Sequence, residues 1–143
     1  MLETDVIFAK VANIQRCLKR ISTITNDDPN SLDNIDKQDI FVLNLQRAIE
    51  STIDIATHII ASQGLGITTT IKENFKILNE AGIIDAELMK KMQAMVGFRN
   101  IAVHDYASLD INILKSILQN NLKDIEEFYT LILKRFVLPK DPL

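Results

Sequence analysis

Apolar residues recur at alternating spacings of three and four along most of the chain, which is the period of one face of an α-helix. The first such stripe consists of Ile7, Val11, Ile14, Leu18 and Ile21. A sequence of 143 residues with only 4 glycines and 3 prolines has little material for the many turns of a β-structure. The sequence therefore predicts an all-α fold in a single domain over residues 1–138, with a frayed tail at 139–143.

The first helix is followed by a segment without periodicity, residues 25–36, which is interpreted as a loop. Asp36 is then placed to cap helix 2 by accepting the free amide hydrogens of its first turn. Helix 2 is predicted over about residues 37–62, and Gly64 can take the left-handed conformation that closes a helix. His58 has no histidine or cysteine partner at ligand spacing, so it is interpreted as a structural residue.

Three more helices complete the prediction. Residues 70–73 fit a capping box that opens a short helix 3, and Asp85 is placed to cap helix 4. One apolar stripe over residues 114–136 predicts a single helix 5, capped by Ser108 or Asp110. About five amphipathic helices joined by short loops form an antiparallel bundle, with helices 2, 4 and 5 at its core. The apolar stripes are wide for a monomer of this size, which predicts a symmetric homodimer.

Charge and cysteine content exclude several classes of protein. No apolar run is long enough to cross a bilayer, and the chain begins acidic where a signal peptide would be basic, which predicts a cytoplasmic protein. Cys17 is the only cysteine, so the sequence predicts a buried thiol without a disulfide or a cysteine metal site. The net charge of −3 argues against nucleic-acid binding by the whole surface. A local cluster of cations could still bind a nucleic-acid backbone if a symmetric dimer presented it twice. Its members are Arg16, Lys19, Arg20 and Arg99.

Residues that can bind phosphate and transfer protons occur together at the predicted end of helix 4. Arg99, His104 and Tyr106 form the pattern R-x4-H-x-Y. Arginine supplies a planar charge that binds phosphate, and an imidazole exchanges protons near neutral pH. Five positions on a continuous helix turn by about 140°, so Arg99 and His104 would not share one face. Either the helix opens before His104, or a second chain completes the site.

An arginine and a histidine without metal ligands suit RNA cleavage by attack of the 2′-hydroxyl on its neighbouring phosphate. His104 would take the proton of the 2′-hydroxyl, a second histidine from the dimer would protonate the leaving 5′-oxygen, and Arg99 would stabilise the transition state. Asn100 is placed to hold the imidazole or a substrate oxygen, and Asp105 either adds to binding or solvates the turn. Motifs for phosphate loops, metal sites and nucleophile elbows are absent from the sequence, so no metal or other cofactor is predicted.

The pattern R-x4-H-x-Y at the end of a helix, preceded by residues 95–98, resembles the signature of the HepT toxins. These belong to the HEPN superfamily of small all-α ribonucleases. The likeness covers roughly residues 38 to 135 in register, which is far more specific than a short motif. Outside the motif it is carried by four segments: residues 41–50, 64–66, 75–78 and 81–84.

The resemblance implies a toxin of a prokaryotic, type VII-like toxin–antitoxin pair, which forms homodimers and cleaves RNA without a metal at a shared cleft. By position, Arg99 and His104 are the catalytic pair that it implies. The implied antitoxin is a small MNT-type nucleotidyltransferase that transfers AMP to the motif's tyrosine, here Tyr106. Phosphates added to a phenol beside an arginine would fill the site and neutralise the cation. The alternative is a non-catalytic helical binding module that partners a nucleotidyltransferase or binds nucleotides.

Overall fold

Six α-helices make up the fold of residues 2–138, which are the residues that the computed structural model describes. No strand occurs among them, which confirms the all-α prediction. The helices are α1 Thr4–Thr25, α2 Ile35–Gln63, α3 Ile71–Glu80, α4 Ala86–His104, α5 Ile111–Asn120 and α6 Leu122–Ile132. Short 3₁₀ turns cover Pro29–Asp33 and Tyr106–Ser108, and a π-helical turn covers Leu133–Val137. The tail predicted at residues 139–143 lies outside the described residues. Across the described range, no helix is both long and apolar enough to span a bilayer.

Side chains at the helix starts explain the boundaries of α3 and α4. Thr70 Oγ1 accepts a hydrogen bond from the amide of Glu73 at 3.3 Å, and Asp85 Oδ1 accepts one from the amide of Leu88 at 2.8 Å, as predicted. The carboxylate of Glu73 accepts from the amide and hydroxyl of Thr69 instead of the amide of Thr70. The capping box therefore forms with its returning bond shifted by one residue.

The ends of α2 and the start of α5 also follow local chemistry. Gly64 has a φ of 63° and closes α2 in the left-handed conformation, as predicted. The sequence offered Ser108 and Asp110 as caps for the helix that follows α4. Asp110 caps α5, since its Oδ1 accepts a hydrogen bond from the amide of Asn112 at 2.8 Å. Ser108 instead belongs to the preceding 3₁₀ turn.

The segment between α1 and α2 differs from the predicted loop. Pro29–Asp33 forms a 3₁₀ turn, and Leu32 within it is fully buried, so this segment is part of the core. Helix α2 is capped by Asn34, whose Oδ1 accepts from the amide of Lys37 at 3.1 Å. The prediction of Asp36 as the cap was wrong by two residues. Asp36 lies inside the first turn, where its negative charge still complements the helix dipole.

The single helix 5 predicted from the sequence is two helices, α5 and α6. The chain breaks at Asn121, whose φ of −117° departs from helical geometry. Its side-chain amide donates to Asp124 at 3.2 Å, and Lys91 of α4 lies 3.7 Å from the same buried carboxylate. The apolar stripe continues across the break, which explains why spacing alone did not reveal it.

One contiguous hydrophobic core receives side chains from every helix. The most extensive helix pair is α1 with α2, so the prediction of a core built from helices 2, 4 and 5 omitted a major contributor. Ile7, Ile14 and Ile21 of α1 are fully buried. Phe75 of α3 and Phe128 of α6 meet edge to face with ring centroids 5.7 Å apart. This contact packs α3 and α6 together within the core.

Replacing Phe128 by alanine should lower the free energy of unfolding by about 3–5 kcal/mol, because it removes a fully buried ring and leaves a cavity. Denaturant unfolding at one fixed protein concentration measures this change. Phe8→Ala is the matched control: Phe8 is 48% exposed, and its loss should cost much less. Equal losses for the two variants would contradict the core assigned to α6.

Candidate active site

Helix α4 is continuous through Arg99 and ends at His104. The amide of Asp105 still donates to the carbonyl of Ile101 at 2.8 Å, so the helix does not open before His104. Arg99 and His104 are therefore about 140° apart around the helix axis. The structure therefore excludes an opened helix, which is one of the two arrangements left open by the sequence.

Arg99 is held against α2 by polar contacts. Its Nε lies 3.4 Å from Oε1 of Glu50, and its Nη1 donates to Oδ1 of Asn100 at 3.0 Å. The arginine side chain is 22% exposed, so the guanidinium is oriented yet accessible to a ligand. Within residues 2–138, Asn100 makes its side-chain hydrogen bond to Arg99 and none to His104.

His104 is the last residue of α4, and it is exposed. Among the described residues, its imidazole has no hydrogen-bond partner, so both ring nitrogens are available to a substrate or to another chain. The other histidine is used differently. Nε2 of His58 accepts a hydrogen bond from the amide of Glu3 at 3.0 Å, which confirms its interpretation as a structural residue.

Tyr106 follows α4 in a 3₁₀ turn, and its hydroxyl donates a hydrogen bond to Asp39 at the start of α2. Burial, and then the hydrogen bond and charge of Asp39, raise the pKa of Tyr106 to about 12, because each disfavours the phenolate. The sequence did not identify Asp39 as a site residue. The contact joins positions far apart in the chain, and no local pattern reports such a pairing.

Asp105 shapes the turn that carries Tyr106. Its carboxylate accepts from the hydroxyl of Ser108, and its carbonyl accepts from the Ser108 amide at 2.9 Å. Its backbone, with φ of −152° and ψ of 58°, leaves the helical region and redirects the chain. In this protomer, the contacts of Asp105 are those of a turn former.

The other side of α4 borders an apolar groove of about 590 Å³ shared with α5. Phe98 and Ile101 line it from α4, and Ile113 and Ile117 line it from α5. In the described part of the chain, no group of three histidine, cysteine or acidic side chains is arranged to hold a metal ion.

Comparisons with known proteins agree with this geometry. A family model described as ribonuclease HepT-like matches residues 14–132. The chain belongs to the HepT-like ribonuclease family. It is 41% identical over 128 residues to the mRNA nuclease HepT of Shewanella oneidensis, covering 90% of this chain and 96% of that protein. It is 34% identical over 95 residues to the tRNA nuclease HepT of Aphanizomenon flos-aquae, covering 66% and 63% of the two chains.

A solved structure extends the likeness to three dimensions. The tri-AMPylated HEPN toxin of Shewanella oneidensis, in complex with its MNT antitoxin, superposes with a TM-score of 0.85 at 40% identity. The match covers 90% of the HepT-like chain and 96% of that toxin. The resemblance stated from the motif is therefore confirmed, and the chain is an enzyme of a ribonuclease family.

The cations expected to hold a nucleic-acid backbone are only partly brought together in this HepT-like chain. Arg16, Lys19 and Arg20 line one shallow pocket on α1. Arg99 does not line it, and its side chain instead contacts Glu50 of α2.

Replacing Asp39 by asparagine should lower the pKa of Tyr106 from about 12 toward 10.0, because it removes the negative charge beside the phenol while burial persists. Ultraviolet difference titration can follow this group, since the HepT-like chain has 2 tyrosines and no tryptophan. Tyr106→Phe assigns the signal. Asp36→Asn removes the same charge from the same turn of α2, and it should leave the titration unchanged. An unchanged pKa of Tyr106 in Asp39→Asn would show that the charge of Asp39 does not act on the phenol.

Proposed function

We propose that the chain is a metal-independent endoribonuclease toxin of a type VII-like toxin–antitoxin pair, with Arg99 and His104 as its catalytic residues. The observation that carries the proposal is an R-x4-H motif at the end of α4 in a HepT-like ribonuclease, with an oriented arginine and an exposed imidazole. The proposal places the protein in the cytoplasm, where RNA and ATP are both present.

The proposed site needs two copies of the chain. Arg99 and His104 face different directions on one α4, so a two-fold axis near the ends of two α4 helices is required to gather both motifs into one cleft. Exposed apolar side chains around the motif support such pairing: Leu43 at 44%, Ile101 at 45% and Val103 at 42%. A homodimer removes this apolar surface from water.

In the proposed reaction, His104 accepts the proton of a 2′-hydroxyl as that oxygen attacks the adjacent phosphorus. The bond from phosphorus to the 5′-oxygen breaks, and His104 of the partner subunit donates a proton to the leaving oxygen. The products are a 2′,3′-cyclic phosphate and a free 5′-hydroxyl. Arg99 exchanges Glu50 for the phosphoryl oxygens and stabilises their charge, while Asn100 fixes the plane of its guanidinium.

We extend the proposal to Tyr106 as the site at which an MNT-type nucleotidyltransferase antitoxin attaches AMP. A related toxin has been solved tri-AMPylated with its MNT antitoxin, and Tyr106 is 43% exposed. Asp39 and Glu50, which contact Tyr106 and Arg99, are separated by three turns of α2, about 16 Å. Several linked nucleotides span that distance better than one, so a chain of AMP groups suits the task of neutralising Arg99.

His104→Ala should reduce RNA cleavage by about 10²–10⁴-fold, the usual contribution of a general acid or base. Arg99→Ala should reduce it by about 10²–10³-fold. Cleavage of labelled RNA in EDTA, with end-group analysis for 2′,3′-cyclic phosphate, measures both. The chain has 2 histidines, so His58→Ala is a matched control that should retain activity.

Two results would count against this assignment. Equal cleavage by the unaltered protein and His104→Ala would place the reaction elsewhere. Inactivity of the unmodified protein toward varied RNAs, with dimer formation and binding to the nucleotidyltransferase intact, would favour the non-catalytic binding module.

Tyr106→Phe should abolish AMP attachment by a cognate MNT-type nucleotidyltransferase, because phenylalanine lacks the accepting oxygen. Intact-mass spectrometry after incubation with ATP and magnesium measures the added adenylyl groups. Tyr129→Phe, at the only other tyrosine of the chain, should be modified as the unaltered protein is. Continued modification of Tyr106→Phe would assign the acceptor to another residue.

A further inference from the structure

A cluster of cations lies on the face formed by α1 and α2, outside the R-x4-H motif. Arg16, Lys19 and Arg20 of α1 line a pocket of about 280 Å³. The remaining lining residues are neutral, so no carboxylate among the described residues borders this pocket: Thr23, Ile24 and Ile40.

Arg47 of α2 belongs to the same cluster. Burial raises the pKa of the Cys17 thiol, while the positive charges of Arg16, Arg47 and Arg20 act in the opposite direction. Cys17 is buried at 3% exposure between the two helices. The geometry of the two antiparallel helices places Arg47 there as well. Asn13 of α1 donates to Ser51 of α2 at 2.7 Å, and one turn further along this register sets Cys17 against Arg47, beside the α1 cations.

The four cations have no acidic partner. Within residues 2–138, none of them takes part in an ion pair. The polar contact that Arg16 makes is to the neutral Asn13, whose Oδ1 accepts at 2.6 Å. The chain has a net charge of −3, whereas this cluster of cations is locally positive. Positive charge without acidic partners attracts a polyanion.

This cluster is continuous with the candidate active site. Arg47 and Glu50 are one turn apart on α2, which places their β-carbons about 5–6 Å apart. Glu50 in turn holds Arg99 at 3.4 Å. A two-fold contact through the cluster would set these cations against their own copies, which is unfavourable. The cluster is therefore suited to remain open in a homodimer.

We propose that Arg16, Lys19, Arg20 and Arg47 form a phosphate-binding track that guides single-stranded RNA across α2 toward Arg99. The inference rests on the proposed ribonuclease function for the identity of its ligand. Cations spaced along a surface bind phosphates of any sequence and release counterions, which makes binding strongly dependent on salt. The track thus positions the substrate, and the motif performs the reaction.

The test uses the full chain with His104→Ala, so that binding is measured without cleavage. The track variant adds Lys19→Gln, Arg20→Gln and Arg47→Gln, and it retains Arg16 because of its contact with Asn13. The control variant removes three exposed cations elsewhere, with the same change in net charge: Lys76→Gln, Lys123→Gln and Lys134→Gln. Circular dichroism and sedimentation establish that all three proteins share one fold and one oligomeric state.

Fluorescence anisotropy with a labelled oligouridylate measures affinity at several salt concentrations. The track variant should bind about tenfold more weakly or worse, and its slope of log K against log salt should fall by about 2, at about 0.7 per lost phosphate contact. The control should keep the affinity and slope of the parent.

The same three track substitutions are then made in the protein that retains His104. There they should raise the KM for RNA and leave kcat unchanged.

An equal loss of RNA affinity in the track variant and the control variant would show that net charge alone explains the binding, and it would contradict the proposed track. Unchanged RNA affinity in the track variant would also overturn it, and would point to an acidic protein as the occupant of this face. Cleavage with an unaltered KM in the track variant would refute the inference while leaving the proposed function intact. Track-dependent RNA binding without cleavage by the unmodified protein would refute the ribonuclease assignment and leave the inference standing.

Discussion

The antiparallel packing of α4 against α2 is the constraint on which the candidate site depends. Helix α2 has 29 residues and is contacted by α1, α3, α4 and α6. Because α4 runs alongside it in the opposite direction, Glu50 meets Arg99, and Asp39 meets Tyr106 beyond the end of α4. One central helix therefore fixes the arginine and the tyrosine, while the exposed His104 between them is left without a protein partner among the described residues. The same packing thus orients Arg99, the proposed phosphate-binding group, and leaves His104, the proposed proton-transfer group, exposed.

Because α4 is continuous, Arg99 and His104 of one chain point in different directions. The proposed mechanism therefore requires a dimer. Cleavage by 2′-hydroxyl attack uses one group that accepts a proton and another that donates one. The chain has 2 histidines, and the ring nitrogen of His58 already accepts a hydrogen bond from the amide of Glu3. A single protomer thus offers only His104 for this work. In the proposed homodimer, two-fold symmetry would supply the second imidazole without a second gene, and it would place Arg99 of each chain near a phosphate that both chains approach.

Most of the local chemistry could be predicted from the sequence, although the cap of α2 is Asn34 and not Asp36, whereas long-range pairing could not be predicted. Thr70 and Asp85 were predicted as caps because a cap depends on the side chain and on the three residues that follow it. The break at Asn121 was missed because the apolar stripe crosses it, and the contacts that stabilise it involve a lysine from another helix. The R-x4-H motif was found because its members are neighbours in the chain. Asp39 and Glu50 were missed because only the packing of α2 against α4 gives them a role.

The distribution of charge reconciles an acidic chain with an RNA substrate. Several carboxylates are committed to internal contacts: those of Asp39 with Tyr106, Glu50 with Arg99, Asp54 with Lys10 and Asp124 with Lys91. The cations of the track carry no such partners within the described residues, so they form a positive cluster in a chain of net charge −3. A polyanion responds to the nearby charges, since charges beyond about 8 Å are largely screened at physiological salt. Contacts of this kind hold phosphates without reading bases. Selection among RNAs would then depend on which single strands can follow the track into a cleft that two protomers share.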